Sequence, residues 1–378
     1  METTLPTPIQ DSPRPAEIAC PQCHAHVSGT ADALRCERHG VVGSRNADGV
    51  WVFDSSNEYW GEVAREHMRR VNETARRAGW HQALHDHVAA ESAGLAHYAE
   101  NISRADWYTL LPLDRERTVS LDVGAGWGAN SFGLAQHVHH HYAAEKIAER
   151  VEFIALRAKQ DKVDNIVPVR ADLHALPFAT ASLDVVAVNG VLEWAGLVDP
   201  DADPDAPRAP DALQRSFLRQ LHALMRPGGW LYVGIENRYG RMFWRGAIDH
   251  QGLRYTSLMP RRAARAYTRA RQAVSPRTRH VERDYRAWTY SLGGYLRLFE
   301  RCGFVHPQVY AAVPGYNVPT RLVPLASRGP MRYVMSQVRS QHRGRNVARR
   351  ILHDAMSASG LERALESCYA FVCRRPES

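Results

Sequence analysis

A glycine-rich turn is the most informative chemical feature of this sequence. Residues 121–128 read Leu-Asp-Val-Gly-Ala-Gly-Trp-Gly. Glycine permits a tight turn and lets the backbone approach a ligand without a Cβ collision. Asp122 lies shortly before the first glycine, where its carboxylate could face a cationic group. The turn alone also suits a dinucleotide, so other residues must decide the ligand. The glycines predicted to contact the ligand are Gly124, Gly126 and Gly128.

The spacing of this turn and two later acids favour a different ligand. The glycines follow G-x-G-x-G, and Ala129 and Asn130 stand where a dinucleotide fingerprint carries its last glycine. Glu145 is predicted at the end of the second strand, where a carboxylate can accept both ribose hydroxyls. Asp172 comes just after the third strand, where it can accept from an adenine amine. With Asp122 facing an amine, these acids indicate S-adenosylmethionine (SAM).

A second constellation, near the N-terminus, has the spacing of a zinc site. The pattern is C-x2-C-x12-C-x2-H over residues 20–39. Two close pairs separated by a dozen residues suit tetrahedral Zn²⁺, because each pair forms a tight knuckle. A set of four protein ligands leaves no open position, so we predict a structural metal that supplies folding energy. His24 and His26 are rival ligands. The predicted ligands are Cys20, Cys23, Cys36 and His39.

Composition narrows the class of protein. The 378 residues carry a formal charge of +8 and are 44% hydrophobic, which is ordinary for a globular chain and permits an anionic partner without requiring one. No run of about 18 uncharged apolar residues occurs, so no membrane span is expected. The first residues lack the basic and apolar regions of a signal peptide, and six cysteines without a secretion signal indicate a reducing compartment. We therefore expect a cytoplasmic protein.

Strands and helices alternate from about residue 116 onward, which predicts a parallel sheet covered on both faces. The expected fold is α/β, a Rossmann-like seven-stranded sheet with a small N-terminal zinc ribbon in front of it. Ligands of such sheets bind at the carboxyl ends of the strands. The strands are predicted at 118–123, 139–144, 166–170, 183–189, 230–235, 305–313 and 367–374.

The domain organisation follows from these patterns and from the Pro- and Asp-rich breaks between them. The predicted parts are a disordered lead at 1–15, the zinc ribbon at 16–54, a helical lead-in at 55–115, and a core at 116–374 with an Arg-rich insertion at 238–284 and a second insertion at 314–366.

Over roughly residues 100–374 the chain resembles class I SAM-dependent methyltransferases of the small-molecule type. The matching pieces are LDVGAGWG, the acid Glu145, ADLHALPFATASLDVVAVNGVLEW and RPGGWLYVGIENR. The resemblance implies that the turn holds the methionine part of SAM, Glu145 the ribose, and the Asp172 region the adenine. The residues carried over are Asp122, Gly124, Gly126, Gly128, Glu145, Asp172, Leu173 and, beside the sulfonium, Asn189 with Gly190.

The zinc segment has a resemblance of its own. Residues 40–53 look like the ribbon of small zinc proteins that partner methyltransferases, and similar ribbons are fused to some ribosomal RNA guanine methyltransferases. Those ribbons usually carry four cysteines, so His39 is a departure.

Several residues are candidates for the base that would activate an acceptor. Glu193 follows the fourth strand, and Glu236 and Asn237 end the fifth. His250 titrates near neutral pH, and paired with Asp249 it could remove a proton from a hydroxyl. A surface Asp-His pair without function is an equally good interpretation. The predicted catalytic residues are Asp249, His250 and Glu193.

The acceptor itself has competing interpretations. The run NGVLEW resembles the fourth motif of small-molecule methyltransferases and lacks the Asn-Pro-Pro-aromatic run expected for a base amine, so we expect a small-molecule or glycan-like acceptor methylated at oxygen. The alternative is an RNA methyltransferase, because residues 241–286 contain twelve arginines against three acids. Arginines alone predict only phosphate contact, and no aromatic-interleaved RNA-binding module is evident. A non-catalytic zinc-containing interaction protein is a third class, against which the intact turn and acids argue.

Overall fold

The computed structural model describes residues 17–30, 32–196, 209–250, 252–274, 288–341 and 359–377. The predicted disordered lead at 1–15 and parts of both predicted insertions lie outside these ranges. Within them, no helix combines the length and the apolar character that a bilayer crossing requires.

One mixed sheet forms the centre of the described chain. Its strand order is β1-β2-β3-β4-β7-β6-β5-β8-β9-β12-β10-β11. The strands are β1 (Ser28–Gly29), β2 (Ala33–Cys36), β3 (Gly40–Arg45), β4 (Trp51–Val52), β5 (Val119–Val123), β6 (His140–Glu145), β7 (Ile166–Arg170), β8 (Leu183–Asn189), β9 (Met225–Glu236), β10 (Val305–Val313), β11 (Arg321–Pro324) and β12 (Cys368–Arg374).

The sheet is an α/β sheet as predicted, but it is wider than the seven strands expected. β5 lies between β6 and β8 and runs parallel to both, and β12 runs antiparallel between β9 and β10. Beyond these, four strands of the N-terminal module extend one edge and β11 extends the other, giving twelve in the described residues. Unpaired backbone groups at an open sheet edge favour such additions. Chain order reverses at β5, so a crevice is expected at its carboxyl end.

The helices pack around this sheet, and several of them lie within residues 55–115. There, α1 to α3 are followed by a 3-10 helix, Ile102–Leu110. The helices are α1 (Arg65–Ala78), α2 (Trp80–Leu84), α3 (Ala93–Glu100), α4 (Ala129–Ala135), α5 (Ala148–Asp161), α6 (Pro210–Leu224), α7 (Arg241–Trp244), α8 (Arg261–Val274), α9 (Leu292–Arg301), α10 (Arg328–Gln341) and α11 (Leu361–Leu365).

The N-terminal module is part of the main body and not a separate ribbon in front of it. β4 pairs in parallel with β7, with Trp51 opposite Val169. Ile18 forms a bridge with Phe178. Apolar side chains of the module, Leu34 and Trp51 among them, belong to the same buried cluster as the central strands. The module therefore shares the hydrophobic core of the sheet.

Close packing between α4 and the 3-10 helix depends on a glycine. A Cβ at Gly133 would lie 2.3 Å from the carbonyl oxygen of Ile102 and 2.7 Å from Cβ of Ala105. We expect Gly133→Ala to lower the free energy of unfolding by about 1–3 kcal/mol, measured in urea, because the two elements must separate. Gly94→Ala is the control: the nearest atom to its Cβ is Oγ of Ser92 at 4.0 Å, so stability should be unchanged or slightly higher. Equal losses in both variants would contradict this account.

Candidate active site

The glycine turn at the end of β5 has a backbone that only glycine adopts easily. The φ angles are 70° at Gly124, 58° at Gly126 and 83° at Gly128. A Cβ at Gly124 would lie 2.5 Å from Cγ2 of Val191, so the loop after β8 packs directly on the turn. At Gly126 the nearest atom would be 4.0 Å away, which leaves open space above the backbone. The turn can therefore receive a ligand at Gly126.

Two of the predicted acids lie directly at this turn. Asp122 is 2% exposed and accepts a hydrogen bond from Oγ of Ser131 at 2.7 Å. Burial raises the pKa of Asp122 to about 6. Glu145 accepts from the backbone N–H of Gly126 and of Ile147, each at 2.9 Å. Glu145 thus ties the end of β6 to the turn.

Asp172, the third acid, lies at the end of β7 beside a lysine. Nζ of Lys146 is 2.8 Å from Oδ2 of Asp172, and the backbone N–H of His174 donates to Oδ1 at 2.8 Å. Burial opposes ionisation of Asp172, but these two hydrogen bonds outweigh it and lower its pKa. Leu173 packs against the main core, and its carbonyl accepts from Gln220 at 2.8 Å. The loop after β7 is therefore firmly held.

An unsatisfied amide marks the end of β8. Asn189 is buried, and neither its amide nitrogen nor its amide oxygen has a hydrogen-bond partner among the described residues. A Cβ at Gly234 would lie only 2.0 Å from Oδ1 of Asn189, so the neighbouring strand β9 must carry glycine at this position. Buried amides without partners are costly, which favours a ligand at this position. The open turn, the three acids and Asn189 fit an adenosyl group.

The loop after β8 buries an acid. Glu193 is 0% exposed, and its Oε1 lies 3.4 Å from the hydroxyl of Tyr316. Its Oε2 has no partner among the described residues. Burial raises the pKa of Glu193 to about 7; the charge of Glu236 adds to this, and the charge of His250 opposes it. Glu193 is therefore close to half-ionised near neutral pH.

His250 pairs with an acid other than the one predicted. Its Nε2 lies 2.9 Å from Oε2 of Glu236. Burial opposes the charged imidazole, but the hydrogen bond and charge of Glu236 raise the pKa of His250 to about 9. Oδ2 of Asp249 instead accepts from the hydroxyls of Thr256 and Ser257. Asp249 and His250 are adjacent in the chain but contact different partners, because a short Asp side chain readily accepts hydrogen bonds from groups nearby in its own loop.

Sequence reasoning missed residues that reach the site from distant parts of the chain. Tyr316 comes from the second insertion, where no motif marks it. Arg104, in the 3-10 helix, is buried, lies over the ring of Tyr98 at 3.6 Å and donates to the carbonyl of Asn317 at 2.8 Å. Burial raises the pKa of Asp122, and the positive charge of Arg104 partly offsets that rise. Only tertiary structure brings these groups to the turn.

The four predicted metal ligands converge. Their ligand atoms all lie within 4.8 Å of one another. Sγ of Cys23 and Sγ of Cys36 are 3.7 Å apart, and Nδ1 of His39 lies 3.3 Å from Sγ of Cys20 and 3.6 Å from Sγ of Cys36. A tetrahedral Zn²⁺ with ordinary bond lengths would place two sulfurs about 3.7 Å apart and a sulfur and a nitrogen about 3.5 Å apart. The donor set therefore fits a zinc ion.

Neither rival histidine belongs to this cluster. Nδ1 of His24 lies 2.9 Å from the carbonyl oxygen of Phe178, and His26 is exposed. His24 instead helps to hold the N-terminal module against the loop after β7.

One protein-family model matches the part of the chain that contains this site. Residues 121–233 match the family model described as a methyltransferase domain, a range that contains the glycine turn and all three acids. No curated protein matches the chain.

Similarities to solved structures are distant. The chain is similar to phosphoethanolamine N-methyltransferase 2 of Haemonchus contortus, solved with S-adenosyl-L-methionine, at 11% identity over 84% of this chain and 61% of that chain, with a TM-score of 0.41. It is also similar to a chain of the complex between the Haloferax volcanii Trm112 methyltransferase activator and a methyltransferase, at 13% identity over 81% of this chain and 97% of that chain, with a TM-score of 0.38. What the comparisons show therefore rests on the family match: residues 121–233 are similar to a methyltransferase domain.

Proposed function

We propose that this chain is a SAM-dependent methyltransferase that acts on a hydroxyl oxygen of a small-molecule or glycan-like acceptor, bound beside Glu193. The observation that carries the proposal is Glu193, a fully buried carboxyl after β8 whose pKa is raised to about 7 by burial. A hydroxyl must lose its proton when it is methylated. A positioned carboxyl that is partly ionised at neutral pH is suited to accept that proton.

The cofactor residues are assigned as the resemblance implies. Asp122 and the glycines would hold the methionine part of SAM, Glu145 the ribose, Asp172 with Leu173 the adenine, and Asn189 the floor beside the sulfonium. SAM supplies an electrophilic methyl group when bound. The chain contributes orientation, through Glu145 and the turn that it braces at 2.9 Å, and a proton acceptor at Glu193.

The assignment of Glu145 has a direct test. Glu145→Ala should weaken the binding of S-adenosylhomocysteine (SAH), the demethylated product, by roughly tenfold or more in calorimetry, because hydrogen bonds to a charged group are lost. Glu116→Ala is the control, since Glu116 is exposed and precedes β5 at its opposite end. Unchanged SAH affinity in a folded Glu145→Ala protein would remove Glu145 from the site.

The proposed roles of His250 and Asp249 differ from a His base assisted by Asp. With its pKa raised to about 9, His250 is a cation at neutral pH and cannot accept a proton there. We propose that His250 neutralises the charge of Glu236, whose Oε2 lies 2.9 Å from Nε2 of His250, close to the acceptor. Asp249 holds the loop that carries His250, through the hydroxyls of Thr256 and Ser257.

A panel of acceptors tests the proposal. SAH release is measured with simple sugars and glycans, phenols and hydroxy acids, amines, and total RNA. We expect turnover with a hydroxylated small molecule, and a ¹³C-methyl label should appear on oxygen by NMR. Turnover restricted to amines or to RNA would contradict the proposal.

RNA remains the second candidate because of a specific surface. In the described part of the Arg-rich insertion, exposed apolar side chains alternate with exposed arginines such as Arg245, Arg254 and Arg262. Such a surface can stack on bases and contact phosphates. Salt-sensitive binding of a single-stranded RNA, together with RNA methylation, would favour this function. The exposed apolar side chains are Tyr239, Trp244, Ile248, Tyr255 and Tyr267.

The zinc ion and the compartment complete the proposal. We assign a structural Zn²⁺ to the four converging ligands, whose spacing supports it. A cytoplasmic location is supported by the six cysteines, none of which forms a disulfide in the described residues. We propose the same domain boundaries that the sequence predicts, with the zinc module 16–54 packed against the core through β4 and the shared hydrophobic cluster.

A further inference from the structure

The segment between the zinc module and α1 crosses the edge of the sheet where the cofactor site lies. We call residues 54–63 the crossing segment. It starts at the end of β7: the N–H groups of Phe53 and Asp54 donate to the carbonyl of Arg170 at 2.9 and 3.2 Å, and the guanidinium of Arg170 donates to the carbonyl of Ser56. The crossing segment thus begins beside Arg170, which is two residues before Asp172 in the chain.

Glu58 meets the cofactor acids through a shared lysine. Nζ of Lys146 lies 2.7 Å from Oε2 of Glu58 and 2.8 Å from Oδ2 of Asp172. One ammonium therefore joins Glu58 to the acid proposed for adenine. Because Glu58 shares this ammonium, Asp172 is only partly neutralised and keeps capacity to accept from an adenine amine.

Glu62 makes the equivalent connection on the other side. It accepts from the indole N–H of Trp127, in the glycine turn, at 3.2 Å, and forms an ion pair with the buried Arg150. Between the two acids, the ring of Trp60 lies 5.9 Å from that of Trp194, in the loop after β8. The crossing segment therefore contacts groups at or just beyond the ends of β5, β6, β7 and β8.

The contacts of the crossing segment are typical of the wall of a ligand-binding crevice and not of a hydrophobic core. The crossing segment contains no helix or strand, and Trp60 is 53% exposed. The carboxylates of Glu58 and Glu62 are also partly exposed, yet they hold cations beside the end of β6 and at the start of α5. We propose that Glu58 and Glu62 are positioning residues of the SAM site, which hold Lys146 and Arg150 so that the crossing segment closes the outer side of the adenosyl crevice.

This proposal rests on the cofactor placement given above. It also connects the zinc module to the site, because β4 leads through Phe53 into the crossing segment. In terms of kinetics, a wall slows the escape of a bound ligand more than it affects the first encounter.

The test compares SAH binding by the full-length protein and its variants. Glu58→Gln and Glu62→Gln should each raise the SAH dissociation constant roughly threefold, and the double variant roughly tenfold, since partly exposed ion pairs contribute modestly. The increase should lie in the dissociation rate, measured by stopped flow. Glu66→Gln is the matched control: Glu66 pairs with Arg69 at 2.7 Å on α1, in the same region of the chain.

A second readout follows the crossing segment itself. Endoproteinase Glu-C cleaves after glutamate, and SAH should protect the wild-type chain from cleavage after Glu58 and Glu62, as seen by mass spectrometry. Wild-type dissociation rates in the double variant, or no protection by SAH, would overturn the proposal. Absence of SAH binding by the wild-type protein would instead remove the cofactor placement, so the two failures are distinguishable. If the double variant does not fold, the single Glu58→Gln variant decides.

Discussion

Glu193→Gln is expected to reduce the turnover number with a hydroxyl acceptor by roughly a hundredfold, because a general base commonly contributes at least that factor. The substitution keeps the shape of the side chain and removes its proton acceptor. In the wild type, the rate should fall as pH drops through about 7, since burial holds the pKa of Glu193 there and the protonated acid cannot act as a base. SAH affinity should stay within about twofold, because Glu193 is assigned to the acceptor.

The same substitution has a stability signature that needs no acceptor. The folded pKa of Glu193 is raised from 4.5 to about 7, so stability contributed by its neutral form is complete below 4.5 and is lost as pH rises through 7. Glutamine stays neutral throughout. The advantage of Glu193→Gln in free energy of unfolding should therefore grow by about 3 kcal/mol between pH 4.5 and pH 8. Urea unfolding at several pH values measures this change.

Glu152→Gln is the matched control for the activity experiment. Burial also raises the pKa of Glu152, but this residue lies on α5 and pairs with Arg76 at 2.6 Å, away from the acceptor pocket. Its turnover and pH profile should be those of the wild type. If Glu193→Gln kept full activity and the same acid limb, Glu193 would not be the base.

Removal of the zinc ion proposed for the four-residue ligand set is the second change with a large expected effect. Chelation, or His39→Ala, should lower the unfolding midpoint by on the order of 10 °C, because the metal supplies much of the folding energy of a small module and each kcal/mol is worth several degrees. The effect should extend to the whole chain, since side chains of the module lie in the main hydrophobic cluster. Differential scanning calorimetry checks the midpoint, and elemental analysis should find one zinc per chain.

His26→Ala provides the comparison for this experiment. His26 is exposed and outside the ligand cluster, so the variant should retain zinc and the wild-type midpoint. Loss of zinc from His26→Ala, or full zinc content in His39→Ala, would show that the four-residue ligand set is wrong.

Local motifs allowed many of the residues proposed for the cofactor site to be identified from the sequence. The glycine turn, Glu145 and Asp172 each lie at the end of a strand that its apolar residues reveal, and parallel strands bring such ends together. The extra width of the sheet was not predictable in this way. β1 is two residues long, which is too short for periodicity to register, and the pairing of β4 with β7 joins segments that are far apart in the chain.

The acceptor side was harder to predict for a different physical reason. Glu193 was identified by its position after β8, whereas the partner of His250 was not, because Glu236 is distant in sequence and Asp249 is adjacent. Proximity along a chain favours local hydrogen bonds, and Asp249 makes them with Thr256 and Ser257. Tyr316 and Glu58 reach the site from segments without any motif of their own.

The position of β12 has a consequence for synthesis of the protein on the ribosome. β12 is the last strand in chain order, yet it fills an interior place between β9 and β10. Those two strands remain without their shared neighbour until Cys368–Arg374 has emerged from the exit tunnel. A nascent chain therefore carries an incomplete sheet until residue 374 has been added, and nascent-chain chaperones have an open gap to protect during that interval.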